Sequence, residues 1–112
     1  MSIYNKMIKT IDDCNFEGYL DLLHDDYVFI RHQSNTKVSK SEWTHVVRSM
    51  FNAMKEGNLN FENNRCIYEN EDILVIHNIG IFPDNTKEAI MAVHTLIDGK
   101  IIKTESGATR ID

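Results

Sequence analysis

The residues with chemical scope in this chain are few: His32, His77 and His94, whose neutral imidazoles can take and return a proton near pH 7, and Arg31, whose guanidinium stays charged. His77 and His94 stand on either side of the turn Pro83-Asp84-Asn85-Thr86. If that turn pairs its flanking strands in register, residues whose numbers sum to about 170 lie opposite, bringing the two imidazoles face to face within a residue of slippage. Two histidines hold a metal only with further ligands, and the lateral neighbours expected here, Arg65 and Lys103, are the wrong chemistry. The pair is expected on an outer face, where acid would charge both rings and weaken association. Asp12-Asp13, Asp25-Asp26 and Glu69 to Asp72 are acidic clusters without calcium-loop spacing, and read as solvated helix ends and turns. No phosphate loop, nucleophile elbow or zinc spacing occurs, so neither a metal nor an organic cofactor is expected.

The elements that must position these groups come from a chain of 112 residues, 42% apolar and 26% charged, which suits one domain over 1–112. Its net charge of -5 removes the phosphate attraction of nucleic-acid binders and argues equally against anionic membrane surfaces. Apolar runs are short and Met1 to Lys6 lacks a signal-peptide core, so a cytoplasmic location is expected. Cys14 and Cys66 have no partner motif and read as reduced, buried thiols.

Ile3, Met7, Ile11 and Cys14 share one helical face behind Ser2. Asn15 caps a second, short helix with Phe16, Tyr19, Leu20 and Leu23 on its buried side, ending near His24. Tyr27 to Arg31 is a β-branched and aromatic strand, which Gln33 to Thr36 ends as a polar loop. Ser39 and Glu42 form a capping box for the third helix, along which Trp43, Val46, Val47, Met50, Phe51 and Met54 recur at helical spacing, and Gly57 stops it. Four strands follow as a meander: Leu59 to Glu69, with a bulge at Asn63-Asn64; Ile73 to Phe82; Lys87 to Ile97; and Lys100 to Ala108 after an Asp98-Gly99 hairpin turn. Helices first and a sheet behind them make an α+β domain.

Both faces of that sheet read as apolar. One carries Ile76, Asn78, Gly80 and Phe82, then Met91, Val93, Thr95 and Ile97, then Ile102, Thr104 and Ser106; the other carries Val75, His77, Ile79 and Ile81, then Ile90, Ala92, His94 and Leu96, then Ile101. Three helices can cover one face only, so a homodimer through Val75, His77, Ile79, Ile81, Ala92, His94 and Leu96 is expected.

Asn15-Phe16-Glu17-Gly18-Tyr19-Leu20 through Leu23, Asp25-Asp26-Tyr27-Val28-Phe29 and Asp98-Gly99-Lys100-Ile101 together resemble the SnoaL-like branch of the nuclear transport factor 2-like superfamily. The resemblance implies a cystatin-like cone: three N-terminal helices packed in the concave face of a curved, mostly antiparallel sheet, with a pocket inside and dimerisation through the outer face. Its members include ketosteroid isomerases, cyclases, dehydratases and binding domains. Against the isomerase pattern, Met7, Arg31 and Val93 occupy the positions of the acid–base groups, so that mechanism is lost. The same register turns Arg31 inward with Tyr27 and Phe29, toward Asn78, Thr95, Thr104 and Ser106, with Trp43 and Val93 in the wall. A buried guanidinium would then anchor an anionic organic ligand, or else pair with Asp26 or Glu105. A shift of one residue would offer His32 as the general base instead. Three functions are compatible with this frame: small-molecule binding, a cofactor-independent lyase, isomerase or cyclase, and a non-catalytic dimeric association module.

Overall fold

The computed structural model describes residues 2–111. Its elements in chain order are α1 (Ile3–Asp12), α2 (Phe16–Leu20), β1 (Leu23–Arg31), a single 3-10 turn (His32–Ser34), β2 (Thr36–Ser39), α3 (Lys40–Lys55), β3 (Asn60–Glu69), β4 (Ile73–Ile81), β5 (Lys87–Ile97) and β6 (Lys100–Ile111). The six strands form one curved sheet in the order β2-β1-β6-β5-β4-β3, antiparallel throughout except where β1 runs parallel to β6. This is the expected α+β cone, with the helices in the concave face of the sheet.

The helices begin where their capping residues lie. The Ser2 hydroxyl accepts from the Asn5 amide, the Asn15 side chain accepts from the Gly18 amide, and Ser39 and Glu42 form the complete capping box of α3. The first turn of α1 is closed by a distant residue as well: the Glu69 carboxylate accepts from the amides of Ile3 at 2.9 Å and Tyr4 at 3.4 Å. Three aromatic rings lock the helices together, with Phe16 and Tyr19 of α2 both against Phe51 of α3. The core gathers Met7, Leu23, Tyr27, Val47, Phe51, Leu74 and Ile101, so every layer contributes to it.

Several boundaries differ from the sequence expectation. α2 ends at Leu20, not near His24, because the chain turns at Asp21 and Leu22 and is captured by the last strand: the Ile101 amide donates to the Leu22 carbonyl, and Leu23 pairs with Ile101. β2 was hidden in an expected polar loop. Asn35 takes a left-handed φ of 52°, reversing the chain so that Val38 faces Phe29 across a short hairpin. β6 continues past Ala108 to Ile111, paired with β5 as far as Lys87. Cys66 is exposed and Cys14 half-buried, so neither is the buried thiol expected.

The largest correction concerns β5. Ile81 opposes Lys87, Asn78 opposes Ile90 and Ile76 opposes Ala92, so even-numbered positions of the two strands share one face. Ala92, His94 and Leu96 therefore point to the core, whereas Val93 and Thr95 lie on the outer face beside Val75 and His77. His77 opposes Met91, and His94 opposes Leu74, so the two imidazoles are on opposite faces and never meet. A slip between Thr95 and Leu96 changes the phase again, which buries Ile101 completely against the expectation that it faces outward. The bulge at Asn63, with a φ of 55°, and the left-handed Asp98-Gly99 hairpin stand where the sequence places them.

Candidate functional site

The hollow of the cone is a cavity of about 600 Å³ between α3 and the inner sheet face. Its walls are mostly apolar side chains, among them Met7, Val47, Met50 and Phe51 from the helices and Ile76, Ile90 and Ala92 from the sheet. On β1 the alternation expected from the sequence holds, and Tyr27, Phe29 and Arg31 all line the hollow. Trp43, Asn78, Thr104 and Ser106 join them, while Val93 and Thr95 face outside for the reason given above. The indole of Trp43 is stacked on Phe29, with centroids 3.9 Å apart and planes 10° from parallel, which fixes the direction of its N–H.

Arg31 lies toward the rim. Its Nη2 is 3.5 Å from Glu88 Oε1, and its side chain is 42% exposed. The partner is thus neither Asp26 nor Glu105 but a carboxylate that also lines the cavity, so the guanidinium is not an uncompensated charge awaiting a ligand. His32 is outside the cavity wall. It sits in the 3-10 turn with its side chain 61% exposed and Nε2 3.4 Å from Glu105 Oε2, a carboxylate shared with Lys103. The position expected for a shifted base is therefore a surface ion cluster.

The imidazole that does enter the hollow is His94, which the sequence reading put on the opposite face. It is 4% exposed, its Nδ1 is 2.8 Å from Thr104 Oγ1, and its Nε2 is buried with no partner in the protein. Burial lowers its pKa from 6.5 to about 4, so the ring is neutral at pH 7. If Nδ1 carries the proton and donates to Thr104, Nε2 presents a lone pair to the cavity. Tyr27 is 1% exposed, and burial raises its phenol well above the ordinary value; Thr104 offsets this in part without reaching hydrogen-bond geometry. The phenol is therefore protonated at pH 7.

Four buried polar atoms among the described residues have no protein partner: Tyr27 Oη, Trp43 Nε1, Asn78 Oδ1 and His94 Nε2. All four residues line this one cavity. A fold normally pairs its buried polar atoms, each orphan costing on the order of 1–3 kcal/mol.

The pKa of His94 gives a stability signature. Its folded value is depressed below the unfolded one, so the unfolded chain alone takes up the proton as pH falls from about 6.5 to 4, and stability drops over that window by on the order of 3 kcal/mol. Urea unfolding at pH 7 and pH 4.5 should show a smaller acid loss in His94→Gln than in the parent; equal losses would mean that His94 titrates normally.

A family model described as a SnoaL-like domain matches residues 1–98. Among curated proteins, none matches this sequence. Solved structures similar in fold include a candidate ketosteroid isomerase from Kribbella flavida, 11% identical with a TM-score of 0.73, covering 96% of this chain and 76% of that one. An NTF2-like protein of unknown function from Cytophaga hutchinsonii is 9% identical with a TM-score of 0.72, covering 99% and 92% respectively. An LEH-like epoxide hydrolase from M. tuberculosis is 14% identical with a TM-score of 0.66, covering 94% and 78%. Identities this low speak for the fold alone, whereas the family model spans most of the sequence: this chain belongs to the SnoaL-like domain family, within the NTF2-like fold.

Proposed function

We propose that this protein binds a small organic molecule inside its cone. The observation that carries the reading is the cavity itself: about 600 Å³ is in the range of small-molecule sites, and its apolar wall holds a few convergent polar groups. The pairing of Arg31 with Glu88 argues against the anionic ligand expected from the sequence, because the charge such a ligand would need is already compensated at the rim. Trp43 is the only tryptophan in the chain and lines the cavity, so its emission reports directly on occupancy. Titration with ethyladamantane, a compact neutral hydrocarbon, should shift Trp43 fluorescence saturably, and Ala108→Phe, which fills part of the hollow, should weaken binding at least roughly tenfold. An emission spectrum unmoved by any such hydrocarbon would defeat the reading.

Acid–base catalysis is a second reading, supported by two groups of the cavity wall, the unpartnered Nε2 of His94 and the un-ionised phenol of Tyr27. In such a step Nε2 takes a proton from the carbon next to a ketone, the C–H electron pair moves toward the carbonyl, and the developing oxyanion accepts from Tyr27. The proton then returns from the imidazolium. Acetyladamantane incubated with the protein in deuterium oxide should exchange its methyl protons faster than in buffer, and His94→Gln should abolish the excess. Exchange that is equally fast in the variant removes His94 from that role.

The outer sheet face supports association with a second copy. Val75, His77, Ile79 and Ile81 of β4 lie beside Met91 and Val93 of β5 there, and Met91 is 48% exposed. Ala92, His94 and Leu96 belong to the core and take no part. Sedimentation equilibrium should give a dimer mass for the parent and a monomer mass for Met91→Glu; a parent mass that stays monomeric at all concentrations ends the proposal.

A further inference from the structure

The orphaned atoms are not interchangeable, and their donor and acceptor characters narrow the ligand beyond "small and organic". The indole Nε1–H of Trp43 can only donate, and Tyr19, its close neighbour, falls short of hydrogen-bond geometry. Asn78 can be assigned with equal firmness through a chain of contacts. The Phe61 carbonyl can only accept, so the Asn64 atom 3.1 Å from it is Nδ2; the other Asn64 atom is then Oδ1, and the Asn78 atom 2.9 Å from that oxygen must be Nδ2. The Asn78 atom left buried without a partner is therefore Oδ1, which can only accept. Tyr27 Oη can do either, but its proton is secure. Charge narrows the choice further, since Arg31 and Glu88 are the only formal charges lining the cavity among the described residues and they face each other.

We propose that the cavity selects a neutral, otherwise apolar alcohol that carries a second oxygen of carbonyl or ether type, the hydroxyl donating to Asn78 Oδ1 and the second oxygen accepting from Trp43 Nε1–H. This rests on the reading that the cone holds a ligand, and adds to it the polarity of each end. A carboxylate would set its charge against Asn78 Oδ1 and Glu88. A plain hydrocarbon would leave every orphan unpaired, whereas a hydroxyl donating to Asn78 Oδ1 and a second oxygen accepting from Trp43 Nε1–H pair one acceptor and one donor. Trp43, held flat against Phe29, and Asn78, held by Asn64, are presented as rigid groups, so discrimination by them needs no reordering.

Calorimetric titration of four probes on one hydrocarbon frame tests this: ethyladamantane, acetyladamantane, acetyladamantanol and adamantane carboxylate. The expected order is acetyladamantanol tightest, acetyladamantane next and ethyladamantane weaker, each step roughly tenfold, with the carboxylate no better than the hydrocarbon. Trp43→Phe should erase the advantage conferred by the acetyl group, and Asn78→Leu the one conferred by the hydroxyl, with a cooperative thermal unfolding transition showing that each variant is folded. Equal affinities for the four probes, or a carboxylate that binds tightest, would overturn the proposal while leaving the cavity a ligand site. Failure of all four to bind overturns both.

Discussion

The register between β4 and β5 is the constraint on which the rest of this structure depends. Because side chains alternate across a strand, the five residues from Phe82 to Thr86 that separate Ile81 from Lys87 decide which half of β5 enters the cone. The turn is held by its own chemistry: the Phe82 amide donates to the Thr86 carbonyl, Asp84 Oδ1 accepts from the amide and hydroxyl of Thr86, and Asn85 takes a left-handed φ of 68°. One residue more or fewer would bring Met91 and Val93 into the hollow and send His94 outside. The cavity would then lose its imidazole, and Thr104, which faces His94 across β5 and β6, would leave with it.

The persistence of a cavity follows from the shape of the sheet and from what fills it. Tyr27, Leu74, Ile101 and Val47 are completely or almost completely buried, whereas the side chains around the hollow leave about 600 Å³ between them unfilled. The polar atoms left in the wall oppose folding, since each was hydrogen-bonded to water in the unfolded chain. Packing elsewhere must offset that penalty, and the aromatic contacts of Phe16, Tyr19 and Phe51 and the Phe29–Trp43 stack are where it is concentrated.

How much of this could be read beforehand depended on the range over which each signal acts. Caps and turns are local, so Ser2, Asn15, the Ser39 and Glu42 box and the Asp98-Gly99 hairpin were legible from residue type alone. The inward face of β1, and with it Tyr27, Phe29 and Arg31, followed from one register and held. β5 did not, because alternation fixes which residues share a face but says nothing of which face is inside when both are apolar. His94 was misplaced for that reason alone; the parity of the hairpin, with its even numbers opposed, was the signal that could have found it. Glu88 as the partner of Arg31 was out of reach, since the two lie 57 residues apart and meet only once the sheet has curved.

One contact joins the start of α1 to the far end of a remote strand. The amides at the start of α1 find their acceptor in Glu69, at the end of β3, across 66 residues of chain. The leading turn of α1, capped locally by Ser2, is therefore completed by a carboxylate that β3 brings to it. Loosening the end of β3 would thus loosen the start of α1 with it, remote as the two are in sequence.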